Sequence, residues 1–239
     1  MFFMSPELTV LAIYVAAAVL PAFLLLRFIY RMDSIEKEPP RLLWSLVLRG
    51  VLAALASIVL EKLGTAALDA HVRQNTAKYI ILLAFLVVAV VEEGTKFLFL
   101  YKRAWREPNF NYRFDGVVYA VCVSLGFAAF ENVGYVFNYG LSVALPRALL
   151  SIPGHMSFAV FMGSYFGRAK ICEDWGNRAG KIGNLLRGYL VAVVLHGVYD
   201  TCAMLGTTKA TVVFVAFVAV MYLVVFFRIR REARSDEPV

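Results

Sequence analysis

Seven long, nearly uninterrupted apolar runs leave this chain few ways to fold: Leu8–Leu26, Leu42–Leu60, Tyr79–Leu100, Gly116–Phe137, Ala148–Phe166, Gly188–Leu205 and Ala210–Phe227. A helix needs roughly 20 mostly apolar residues to cross the ~30 Å hydrocarbon core of a bilayer, which is the length of these runs. A transmembrane barrel would instead alternate apolar and polar residues over about ten positions per strand, and the runs are continuous. Of the 239 residues 61% are hydrophobic and 17% charged, with a mean hydropathy of +0.70. The expectation is an all-α fold: a single integral membrane domain over residues 1–239, a polytopic transmembrane helical bundle of about seven spans with short loops.

The basic residues alternate between successive connections. Four connections carry seventeen Lys and Arg, among them Arg27, Arg31, Lys102, Arg103, Arg168, Lys170 and Arg228; the intervening ones carry five, including Lys62, Arg73 and Arg147. The positive-inside bias then predicts the N-terminus outside and the C-terminus, with a tail over 228–239, in the cytosol. The net charge of +7 is accounted for by this alternation, and no nucleic-acid partner is expected. The first run lacks a basic leader and a small-x-small cleavage site, so it reads as a retained anchor. Cys122, Cys172 and Cys202 are too scattered for a metal or redox motif.

Against this background a few polar side chains stand out. Glu92, Glu93 and Lys96 lie within the third run, Glu131 in the fourth, His155 in the fifth, and His196 with Asp200 in the sixth. One charge near the bilayer centre costs at least ~2.5–3.5 kcal/mol, so such groups face a polar cavity and have partners. Glu92 and Lys96 are four residues apart, as are Phe127 and Glu131, and His196 and Asp200, so each pair shares a helix face. At a rise of ~1.5 Å per residue, the Glu pair lies about 20 Å below the outer face and the other groups about 8–14 Å. One cavity in the outer half of the membrane could hold them all. A structural ion pair would by itself account for Lys96, and an interhelical hydrogen bond for His155 taken alone. Their co-occurrence argues further, because Ser, Thr and Asn suffice for contacts worth about 0.6–2 kcal/mol between helices. Asn132 beside Glu131 can donate and accept hydrogen bonds.

The remaining polar and small residues read as structure. Asp115 is placed to cap the fourth helix, Gly163 and Gly167 suit a close helix approach, and His71 falls in an outer loop.

In order along the chain stand Glu36-Lys-Glu-Pro39, Glu92-Glu93-Gly-Thr-Lys96, Asp115-Gly116, Phe127-Ala-Ala-Phe-Glu131-Asn132, Pro153-Gly-His155 and His196-Gly-Val-Tyr-Asp200. This set, spread over residues 33–200, resembles the PrsW family of intramembrane proteases, which is related to the CAAX prenyl endopeptidases. The resemblance implies that Glu92 and Glu93 are the catalytic pair, His196 the essential imidazole and Asp200 its polar partner. The middle CAAX motif ends in His, where this chain has Glu131. That leaves open whether Glu131 orients water, shares a proton with Glu92, or yields its task to His155. The resemblance further implies a multi-pass cell-membrane protein that cuts a membrane-anchored, anti-sigma-factor-like protein on its extracytoplasmic side.

Chemically, no Ser stands in a Gly-x-Ser-x-Gly elbow, so water is the preferred nucleophile. Glu92 or Glu93 would take its proton, assisted by Glu131 or His155, while His196 and Asp200 polarise the carbonyl or protonate the leaving amine, and Lys96 holds the partner Glu ionised. A zinc variant would use His155, His196 and a Glu, but the His-Glu-x-x-His motif is absent. Metal-free catalysis without a cofactor is therefore preferred. The rival from another class is a proton- or ion-coupled transporter, since buried acids and imidazoles also form proton relays; broken helices in paired inverted halves would favour it.

Overall fold

The computed structural model describes residues 5–239, which form helices joined by short turns. Helix α1 (Pro6–Met32) begins where Ser5 Oγ accepts a hydrogen bond from the Leu8 amide at 3.3 Å, with Pro6 in the first turn where its missing N–H costs nothing. Helix α2 (Pro40–Asp69) likewise starts on a proline. The third apolar run forms one rod of three parts: α3 (Ala77–Leu82), capped by Thr76, a π-helical stretch (Leu83–Ala89), and α4 (Val90–Ala104). Helix α5 (Asp115–Tyr139) ends at Gly140, whose φ of +81° suits a residue without Cβ. A 3₁₀ turn (Leu141–Val143), the single turn α6 (Ala144–Pro146) and a second π-helical turn (Arg147–Ser151) lead into α7 (Ile152–Asp174). Asn177 caps α8 (Arg178–Met204), and Thr207 caps α9 (Thr208–Arg234).

The all-helical expectation holds, and the long helices overrun the apolar segments from which they were inferred. Hydropathy marks only the part of a helix that hydrocarbon would cover, whereas backbone hydrogen bonding continues into charged turns such as Arg228–Arg234. Five helices, α1, α2, α5, α8 and α9, are long and apolar enough to cross a membrane. The other two apolar runs fold as helical rods over 77–104 and 147–174, but these carry a heavier polar load, including Glu92, Glu93 and Lys96 in the first and Arg147 and Arg168 in the second, and are not among those five. The result is a multi-pass membrane protein, and its outward surface agrees: Leu8, Leu24, Val59, Leu63, Val212 and Phe227 are all more than half exposed, as suits side chains solvated by lipid.

Helix α5 is the axis of the bundle. Its first half, Asp115 to Ala128, is buried on every side, with α1, α2, α4 and α7 packed around it. Two of these crossings are close enough to require glycine. A Cβ on Gly126 would meet the Val47 carbonyl oxygen of α2 at 2.1 Å, and one on Gly163 would meet the Gly116 carbonyl oxygen at 2.5 Å. The small-residue pair expected at Gly163 and Gly167 thus seats α7 on the start of α5.

Asp115 does not cap its own helix. Its Oδ2 accepts from the amides of Asn111 and Tyr112 at 3.1 and 2.7 Å, so it closes the preceding turn instead. Residues 228–234 continue α9, and the segment after it folds back: the Arg113 amide donates to the Glu237 carbonyl, and the Phe114 amide to Asp236 Oδ1.

Candidate active site

Four elements carry the ionisable groups into one place: α4 brings Glu92, Glu93 and Lys96, α5 Glu131, α7 His155, and α8 His196 and Asp200. Lys96 lies at the centre. Its Nζ donates to Glu92 Oε2 at 3.0 Å, to Glu93 Oε1 at 2.8 Å and to His155 Nδ1 at 3.1 Å. The Phe127 ring lies 4.0 Å below the ammonium, a cation–π contact that charges no further acceptor. Buried from water, this ammonium is balanced on all sides.

The hydrogen bonds determine how the imidazoles are used. An ammonium can only donate, so His155 Nδ1 accepts, and Nε2 carries the proton that it donates to Glu131 Oε2 at 3.1 Å. His196 has a carboxylate against each nitrogen: Nδ1 is 2.9 Å from Glu93 Oε1 and Nε2 is 3.3 Å from Asp200 Oδ2. The Phe158 ring stacks on His196 at 4.8 Å and fixes its plane. The two imidazoles meet edge to face, 5.4 Å between centroids.

A cavity of about 490 Å³ opens onto this cluster, lined by Glu92, Glu131, His155, His196 and Asp200 among others. Glu93 is outside that lining and 1% exposed; one oxygen binds Lys96 and His196, while Oε2 is buried without a partner. The adjacent carboxylates therefore face different surroundings, one the cavity and the other the protein. A second cavity of about 290 Å³ shares Glu61, Glu92, Glu131 and Tyr135 with the first and reaches between α2 and α5.

The structure brings together all five residues expected to be catalytic, Glu92, Glu93, Glu131, His155 and His196, with Lys96, Phe127 and Asp200 beside them. Asn132 goes elsewhere. Its Nδ2 donates to the Ala18 carbonyl of α1 at 2.8 Å and its Oδ1 accepts from Arg147 Nε at 2.8 Å, so it ties helices together. Side chains that straight-helix arithmetic placed at different depths meet within hydrogen-bonding distance. The π-helical stretches Leu83–Ala89 and Arg147–Ser151 sit just before Glu92 and His155. Their i→i+5 bonding fits extra residues into each turn, as often happens at functional sites, and straight-helix arithmetic has no way to include it.

Two charged residues of the lining escaped the sequence reading. Glu61 lies one residue beyond the second apolar run and so looked like loop, but α2 continues to Asp69 and carries it to the cavity. A helical continuation of the Leu42–Leu60 pattern could have revealed it. Arg147 was counted as an outer-loop charge; it pairs with Glu131 Oε2 at 2.9 Å and lies 3.7 Å over the Tyr135 ring.

The donor atoms of Glu92, Glu93, His155 and His196 lie within 4.8 Å of one another, the donor types and spacing of a metal site. Three of those four residues already accept hydrogen bonds from Lys96 Nζ. Lys96 Nζ thus lies among the same donor atoms.

Residues 38–228 match the profile described as PrsW family intramembrane metalloprotease. A protein named Protease PrsW from Clostridioides difficile (strain 630) is 31% identical over 209 residues, 86% of this chain and 85% of that protein. Proteins of the same name from Geobacillus kaustophilus (strain HTA426) and Bacillus subtilis (strain 168) are 34% and 30% identical, over 78% of this chain in each case and 77% and 80% of their own lengths. No solved structure matches the chain.

Proposed function

The chain belongs to the PrsW family of intramembrane proteases, and from that premise we propose that it hydrolyses a peptide bond of a membrane-anchored protein with water activated by Glu92. The observation that carries this reading is the split between the two carboxylates: Glu92 faces the cavity with His155, His196 and Asp200, while Glu93 is sealed behind it. A water molecule in the cavity gives its proton to Glu92 as its oxygen attacks the scissile carbonyl carbon. His196, oriented by Glu93 and Asp200, donates to the developing oxyanion and then supplies the proton that the leaving amine takes as the C–N bond breaks. His155 and Glu131 complete the polar wall. Lys96 holds the neighbouring carboxylates in place by hydrogen bonds without blocking the cavity side of Glu92.

The family description implies a metal. The donor types fit zinc, but the occupancy does not, because Lys96 engages three of the four donor residues. No catalytic step here is assigned to a metal ion. Purified protein that cleaves its substrate in excess chelator, with no metal by elemental analysis, is the expected result; loss of cleavage restored by zinc would overturn the metal-free mechanism.

Seven crossings, with the N-terminus outside and the catalytic cavity in the outer half of the bilayer, form part of the same proposal. Membrane-anchored anti-sigma-factor-like proteins are the first substrates to try. The test is co-expression with single-span candidates and a blot for truncated products, comparing wild type with Glu92→Gln, Glu93→Gln and His196→Ala. Fragments in wild type alone support the protease; equal fragments from all four would falsify it.

A further inference from the structure

At the other end of α9 and α5 from the catalytic cavity lies a groove of about 490 Å³ that the proteolytic chemistry does not use. Four arginines from three parts of the chain wall it: Arg113 ahead of α5, Arg168 on α7, and Arg228 and Arg231 on α9. Two are held in place. Arg228 Nε donates to Ser164 Oγ at 2.9 Å and pairs with Glu232 at 3.0 Å, and its guanidinium lies 4.8 Å over the Phe161 ring. Arg113 pairs with Glu237 at 2.6 Å and donates to the Ser235 carbonyl at 2.9 Å, while its Nε is buried with no partner. Glu232 is the one acidic residue in the lining, and it is already paired. Arg168 and Arg231 are exposed and make no ion pair with any described residue, so two positive charges remain unanswered.

Position says what would answer them. Arg228 follows Thr208 by twenty residues, about 30 Å of helix, which is one hydrocarbon thickness. The guanidinium groups therefore lie where lipid phosphates lie when α9 crosses the bilayer. Directly above them the groove continues into Leu223, Val224 and Phe227, which are 60%, 46% and 64% exposed. A soluble anion would use the arginines and gain nothing from this apolar lip. An acidic protein segment would have to desolvate its backbone against it. A molecule with a phosphate and an acyl chain one after the other uses both parts, and basic pockets between helices at this depth are where anionic headgroups bind.

We propose that this groove is a binding site for an anionic phospholipid, with the phosphate between Arg168 and Arg231, Arg113 and Arg228 behind it, and one acyl chain along Leu223, Val224 and Phe227. The site is independent of the catalytic reading, because it needs only the membrane-spanning helices.

The test uses the full chain, reconstituted in nanodiscs of phosphatidylcholine with increasing phosphatidylglycerol, extracted into mild detergent and weighed by native mass spectrometry. Wild type is expected to retain phosphatidylglycerol in preference to phosphatidylcholine. The double variant Arg168→Gln/Arg231→Gln should retain roughly thirtyfold less, the loss expected from two interfacial charges, with its melting temperature in pure phosphatidylcholine unchanged. Arg178→Gln/Arg187→Gln, at the same end of the bundle on α8 but outside the groove, should behave as wild type. Equal retention by the groove and control variants would overturn the proposal, since general surface charge would then suffice. Displacement of the lipid by excess inorganic phosphate would overturn it too, by showing that the apolar lip contributes nothing.

Discussion

Lys96 donates to two carboxylates and an imidazole at once, so its replacement by methionine would strand Glu92 and Glu93 as neighbouring anions in a buried site. Breaking a buried ion pair from one side costs about 3–5 kcal/mol, and Lys96→Met should lower the melting temperature markedly in detergent while added zinc fails to restore cleavage. Glu92→Gln should fold normally, because the amide keeps the shape and an acceptor for Lys96. Its single-turnover cleavage rate should fall by about 10²–10⁴, the usual worth of a positioned general base, with substrate affinity little changed; an unaltered rate would remove Glu92 from that role. At this scale the acids and imidazoles were legible, because charge within an apolar run stands out against its surroundings. The difference between Glu92 and Glu93 was not legible. Sequence neighbours look alike until a cavity lies beside one and the His196 ring against the other.

At the scale of elements, the fold depends on how nearly α2 and α7 can approach α5. Gly126 touches the backbone of Val47, so Gly126→Val should force α2 off α5 and destabilise the bundle by about 1–3 kcal/mol or more. Gly134→Val, on the same helix with open space around it, is the control and should leave the thermal unfolding midpoint near wild type. Chain order and helix identity could be read from hydropathy alone, and so could the glycine pair at Gly163 and Gly167. The π-helical turns could not, because they depend on packing around Leu83–Ala89 and Arg147–Ser151 rather than on any local residue preference. The reach of α2 to Glu61 was missed for a related reason: a helix keeps its hydrogen bonds past the point where its side chains cease to be apolar.

Across the whole molecule, the end bearing the C-terminus is held by contacts between distant parts of the chain. Asp33 and Glu38, in the loop between α1 and α2, are 2% and 3% exposed, and burial pushes their carboxyls up to about 6 and about 7. Lys37 opposes the shift at Asp33, and Glu36 and Asp236 add to it; Tyr119 and Asp115 oppose the shift at Glu38, and Asp33 and Glu36 add to it. The folded state thus binds more protons than the unfolded one, so stability is greatest below the ordinary carboxylate range and declines as pH rises from about 4 to about 7. Glu38→Gln, neutral at every pH, should flatten part of that decline in thermal unfolding measured across the window; an unchanged slope would show that Glu38 is not buried as an acid. From the sequence by itself came the class of solvent, the helical fold, the order of the segments and the set of ionisable residues that must find one another. These follow from what it costs to leave backbone and charge unsatisfied in hydrocarbon, a cost that is local and can be read residue by residue. Tertiary structure decided which carboxylate faces the cavity, that an ammonium sits among the donors suited to a metal, and that four arginines from three parts of the chain wall one groove. Each of these depends on the phase and tilt of several helices at once, and those are set by packing between elements.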